Sequence, residues 1–182
     1  IGEGDYRLEL RTDARDDIFE GGREGNNRTQ DDPLEVLHPD LVIAELTLGA
    51  AAATSGDAVA VEWVTRNAGA GPALADWSDG LWLSRDTTLD PQDIALGEVA
   101  ASAPLATGEE IAQSAEVALP IEVSGPWYVI VGADAGGAVV EPGGEENNTG
   151  AAALEIALAP YADLEVTSVV APALTVDDPA TV

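Results

Sequence analysis

The chain has 182 residues, with 34 acidic side chains against seven basic ones, all arginine, one histidine and no cysteine or methionine, giving a formal net charge of −27. That charge excludes a nucleic-acid binder, which needs a basic face for the phosphates, and the missing cysteines exclude disulfides, thiolate nucleophiles and cysteine-ligated metal sites. A hydrophobic share of 46%, with no run near the roughly 20 apolar residues of a membrane span, describes a globular segment that does not insert into a bilayer.

The opening stretch IGEGDYRLEL begins in mid-pattern, without a basic and apolar leader, as expected for a piece of a longer polypeptide. Residues 4–28 lie on residues 125–149 at a constant offset of 121, with eight of 25 positions identical, among them Asp13/Asp134, Glu20/Glu141, Asn26/Asn147 and Asn27/Asn148. A second echo joins PDLVIAELTL at 39–48 to ADLEVTSVVA at 162–171. This repetition predicts that 1–36 is the C-terminal part of a preceding module, that 39–160 is one complete module, and that 161–182 supplies the N-terminal strand of a following one.

Strand alternation dominates the complete module. Segment 40–48 opens it, and in 57–66 Val59, Val61 and Trp63 alternate with small or charged residues. Further strands are expected around 80–84, 94–100, 109–119, 125–131 and up to about Ala159, separated by turn clusters such as SGD, NAGAGP and DPQD. Trp63, Trp82 and Trp127 fall in these strands and are expected in the core. Trp77 lies outside clean alternation, as a sugar-stacking platform or as a plug over the sandwich end. Many short strands joined by turns indicate an all-β, antiparallel β-sandwich.

No catalytic constellation is evident: the single imidazole, His38, sits beside a proline at the join between modules. No cofactor-binding residue is assigned, and calcium is the one ion considered. Asp86, Asp90 and Asp93 put three carboxylates on a turn-rich stretch, suited either to Ca²⁺ or to closing Asx turns. The second candidate set is Asp134, Glu141, Glu145 and Asn147, repeated as Asp13, Glu20, Glu24 and Asn26. Its place near the next module's Asp40 or Asp163 would suit an interdomain clamp, and its alternative role is to satisfy backbone groups in a turn. Glu62, Glu116 and Glu122 are expected to point outward.

The opening Asp-Leu, the series Trp63, Thr65, Asn67, Gly69, the segment Leu83-Ser84, Asp86, Leu89-Asp90, Asp93, Leu96-Gly97, and the closing Asp134, Val139, Glu141, Glu145, Asn147-Asn148 occur in a fixed order. In this order the sequence resembles the CARDB family, the cell-adhesion-related Ig-like repeat of bacteria and archaea, with one position of the second motif permuted. The resemblance implies an Ig-like sandwich within large secreted or surface-anchored proteins, and no catalytic activity. The expected role is a non-enzymatic structural or adhesive spacer in an extracellular or cell-surface adhesin or filament, with neighbouring repeats as partners. The alternative is a polysaccharide- or ligand-binding accessory module of a large secreted enzyme.

Overall fold

A computed structural model of the chain describes residues 1–160 and 163–170. The first 36 residues form a narrow ribbon of two short antiparallel pairs: β1 (Gly4–Tyr6) with β4 (Leu34–Val36), and β2 (Glu9–Arg11) with β3 (Arg28–Gln30). Eight further strands, all from residue 41 onward, build two packed sheets. They are β5 (Leu41–Leu48), β6 (Ala52–Thr54), β7 (Ala58–Asn67), β8 (Trp77–Ser84), β9 (Ile94–Ala101), β10 (Glu110–Ala118), β11 (Gly125–Gly132) and β12 (Thr149–Ala157). One sheet has the order β10-β7-β5 and the other β6-β12-β11-β8-β9. All pairings are antiparallel except that of the short β6 alongside β12. This is the antiparallel sandwich expected from the alternation, Ig-like as the family resemblance implies, and its last strand ends at Ala157.

The alternation explains the packing. In β7 every second residue, from Val59 through Val61, Trp63 and Thr65 to Asn67, points between the sheets, while Glu62 stays in water. Glu116 and Glu122 are exposed as well. Trp127, Val129 and Val131 of β11 and Leu154 and Ile156 of β12 meet β7 from the opposite sheet and share its cluster. Burying each such side chain is worth about 1.5–3 kcal/mol. A second cluster, around Leu41, Trp77, Leu105 and Val139, plugs one end of the sandwich.

Trp77 takes the plug position that is one of its two expected roles, and Trp82, expected in the core, lies outside it. β8 begins at Trp77, so Trp77, Asp79, Leu81 and Leu83 are its inward residues and Trp82 lies on the outer face of the five-stranded sheet. Gly80 and Gly132, paired across β8 and β11, make room for the Trp82 ring there, and a Cβ on Gly80 would overlap it. Ile130, fully buried and directly opposite Trp82 in the register, shares that face.

The ribbon repeats the sandwich's closing hairpin in detail. Glu9↔Gln30, Leu10↔Thr29 and Arg11↔Arg28 correspond at the offset of 121 to Ile130↔Ala151, Val131↔Gly150 and Gly132↔Thr149. Beyond Gln30 the ribbon gains one residue, so that Tyr6 faces Leu34 where Trp127 faces Leu154. Residues 163–170 form no strand and are exposed, and the rest of the strand expected at 162–171 lies outside the described residues.

Candidate functional site

Of the second candidate set, Glu141 and Asn147 lie against the start of β5, and Asp134 follows the end of β11. Asp134 adopts φ 48° and folds its carboxylate over its own loop, where Oδ1 accepts from Ala138 N–H at 2.9 Å and Oδ2 from Val139 N–H at 2.7 Å. Glu141 is buried. Its Oε1 accepts the Leu41 N–H at 2.9 Å, and its Oε2 accepts the Asn148 side-chain amide at 3.1 Å. Burial pushes the Glu141 carboxyl above its usual range; those two hydrogen bonds act against the rise, and the nearby charges of Glu145 and Asp40 add to it. Asn148 Oδ1 is buried without a hydrogen-bond partner among the described residues.

The contacts of this loop lie within one sandwich. Asn147 donates to Asp40 Oδ1 at 3.1 Å, so the acidic partner of this loop is the Asp40 that opens the same module. Asp163 is exposed. Of the candidate set, Asp134 and Glu141 are buried, whereas Glu145 and Asn147 are exposed. In the earlier copy, Asp13 has φ 43° and accepts from Asp17 N–H at 2.9 Å and Ile18 N–H at 3.0 Å, the counterparts of Ala138 and Val139.

The other candidate loop closes turns. Asp86 Oδ1 accepts from Thr88 N–H at 2.8 Å, Asp90 Oδ1 from Gln92 N–H at 2.7 Å, and Asp93 Oδ2 from Asp90 N–H at 2.8 Å. The first two are Asx turns, and the third carboxylate ties the corner just before β9. Among the described residues no group of three or more His, Asp or Glu side chains is placed to hold a metal ion. Each of the three carboxylates, Asp86, Asp90 and Asp93, has one oxygen bonded to a backbone amide of its own loop.

The sequence reading missed Asp79, a buried carboxylate with four polar contacts. Asp79, wholly buried on β8, receives Trp63 Nε1–H at 2.8 Å and Thr65 Oγ–H at 2.7 Å on Oδ2. Its Oδ1 accepts Trp77 Nε1–H at 2.8 Å and the Asp134 N–H at 3.3 Å. A carboxylate is an acceptor on all its lone pairs, so four donors from three chain segments satisfy it in the core. Asn67 is satisfied in the same way: its oxygen accepts from the Asp40 and Gly69 amides, and its amide donates to the carbonyls of Gly71 and Leu105. The series Trp63, Thr65, Asn67, Gly69 is therefore one polar seam, and Gly69 leaves space for the backbone of His38–Asp40 passing over it.

Of the two roles open to Trp77, the structure gives the plug: the ring is buried and its indole N–H is bonded to Asp79. Trp127 has Arg85 stacked 3.6 Å from its ring centre. His38 Nε2 lies 2.9 Å from the Ile1 carbonyl oxygen, and the His38 N–H donates to Glu3, so the imidazole holds the ribbon to the sandwich. No helix among the described residues is long and apolar enough to cross a membrane.

The family model for CARDB matches residues 38–152. No curated protein matches the chain. Among solved structures, the CARDB domain of a Pyrococcus furiosus protein, crystallised in complex with di-metal ions, is similar at 15% identity and a TM-score of 0.49, covering 66% of this chain and 90% of that one. The solution structure of that domain gives 16% identity and the same TM-score, covering 68% of this chain and all of the other. A β-glucosidase from Erythrobacter marinus is similar over 65% of this chain and only 16% of its own, at 12% identity and a TM-score of 0.42.

Proposed function

Because this chain belongs to the CARDB family, we propose that its sandwich is a non-catalytic, adhesion-related module acting as a spacer in a long extracellular or cell-surface protein, with neighbouring modules as its partners. The observation that carries this reading is the use made of the buried polar side chains. Asp79, Asn67, Asp134 and Glu141 all spend their hydrogen-bonding capacity on tying strands and loops to one another. The exposed surface is left strongly acidic, which keeps such modules soluble and apart. Serial modules are supported by the hydrogen bonds that recur at a spacing of 121 residues in the Asp13 and Asp134 loops.

The test is binding and display. Antibody against residues 38–160 should label intact, unpermeabilised source cells, and protease shaving should release the epitope. Beads coated with the full chain should show no saturable retention on insoluble polysaccharides. Retention in the micromolar range, lost in Trp82→Ala, would favour the accessory binding module, since Trp82 is the partly exposed indole on an outer sheet face.

A further inference from the structure

The ribbon carries the chemistry of a buried hairpin, yet among the described residues its apolar side chains are left exposed. Leu8 and Leu10 are each 66% exposed, while their counterparts Val129 and Val131 are at 0%. Ile18 is 64% exposed against 3% for Val139, and Leu34 is 51% exposed against 1% for Leu154. Alternation puts Tyr6, Leu8 and Leu10 on one side of the ribbon, with Leu34 across from Tyr6. Phe19, by contrast, is exposed like its counterpart Val140, so the likeness extends to which residues face water.

The loop between the ribbon's strands is already formed as in the closed sandwich. Thr12 N–H donates to the Asn27 carbonyl at 2.9 Å, as Ala133 N–H does to Asn148 at 2.9 Å. Asp16 N–H donates to the Asp13 carbonyl at 3.0 Å, as Gly137 N–H does to Asp134 at 3.0 Å. The apolar stripe is thus held in the shape it has where it is covered. In the complete module the cover is the inner side of β5, β7 and β10 with the inward residues of β8.

We propose that the ribbon face bearing Tyr6, Leu8, Leu10, Ile18 and Leu34 is a docking surface for the apolar inner side of a CARDB sandwich that lacks its own closing hairpin, which it completes as β11 and β12 complete the sandwich here. This rests on the reading of 1–36 as the closing part of a module. The chain's own sandwich is not the occupant, because β11 and β12 already fill that place.

The full chain is titrated with a separate polypeptide of residues 38–124, which holds β5–β10 without the hairpin, and followed by sedimentation and hydrogen exchange. The expected result is a one-to-one complex in which amides of 6–10 and 28–36 gain protection and those of 125–157 do not change. Leu8→Asp with Leu10→Asp should weaken it tenfold or more. A soluble acceptor that does not bind, binding indifferent to that pair, protection changes confined to 125–157, or pairing of two full chains through their ribbons would overturn the proposal. An acceptor short of two strands is prone to aggregate, so a graft variant decides that case: a copy of residues 4–36 replaces 125–157 in the full chain. A cooperatively unfolding graft with protected Leu8 and Leu10 copies supports the docking surface, and a molten graft overturns both it and the modular reading. A folded graft beside a soluble acceptor that fails to bind overturns the docking surface alone.

Discussion

Trp63 on the three-stranded sheet donates its indole N–H to Asp79 on the five-stranded sheet at 2.8 Å, a hydrogen bond that joins the two sheets. Removing the acceptor strands the donors of Trp63, Thr65 and Trp77 in the core, each at a cost of about 1–3 kcal/mol. Asp79→Ala is therefore expected to destabilise the module by about 3 kcal/mol or more in urea unfolding followed by tryptophan fluorescence. Asp79→Asn, which keeps one acceptor and turns a donor toward another, should fall between it and the parent. A parent-like midpoint for Asp79→Ala would show that the seam contributes nothing.

Glu141 sets a pH dependence of known sign. Its folded-state carboxyl is raised above the ordinary value of 4.5, chiefly by burial, so the folded chain holds that proton more tightly than the unfolded one. This contribution to stability is fully present below the ordinary value and is lost as pH rises through the raised one. Glu141→Gln removes the buried charge while keeping an acceptor for Leu41 N–H. Its melting temperature should exceed the parent's at pH 7, and the gap should close below pH ~4. Glu141→Ala, which orphans the Leu41 amide, should be destabilised at both pH values by about 1–3 kcal/mol.

Gly80 is there for the Trp82 ring. A methyl group at this position overlaps the indole, so Gly80→Ala must push the ring off the sheet and uncover Ile130 opposite. The expected cost is about 1–3 kcal/mol, typical of overpacking, with a red shift in the emission of Trp82 as the ring becomes wetter. Trp82→Ala with Gly80→Ala should recover part of that loss, because the clash is then gone.

Calcium is expected to act on this chain as salt. With 34 acidic residues, screening alone raises the melting temperature, and a site-specific ion would add a further mass-action term. At matched ionic strength, millimolar Ca²⁺ and Na⁺ should give equal thermal midpoints. A calcium-specific rise that disappears in Asp86→Ala or Glu145→Ala would reassign the corresponding loop as a cation site.

The strands β7, β11 and β12 were legible because each carries an unbroken run of apolar or aromatic inward residues, Val59, Val61 and Trp63 in β7, Trp127, Val129 and Val131 in β11, and Leu154 and Ile156 in β12. β8 was misread for a definite reason. Its inward series Trp77, Asp79, Leu81, Leu83 holds a carboxylate, which breaks the apolar pattern and moves the apparent strand start past Trp77. The donors that make a buried Asp79 tolerable come from Trp63 and Thr65, and such pairing across sheets leaves no local trace. The contact of Glu141 with Leu41 spans 100 residues and was hidden for the same reason. The Asx turns of Asp86 and Asp90 were readable because their partners lie two residues away.

The two ends of the module lie at opposite poles. Leu41, where the chain enters, sits beside Asn67 and Glu141, whereas Ala157, where it leaves, is bonded to Ser55 beside the turn into β7. β5 and β12 both run from the first pole to the second, one in each sheet. Tension applied through the flanking chain therefore pulls along the strands and loads the β5–β7 ladder in shear, with its hydrogen bonds strained together and not peeled one after another. Forced unfolding is governed by the unfolding rate and not by equilibrium stability, so this geometry resists extension beyond what the acidic, alanine-rich composition would suggest.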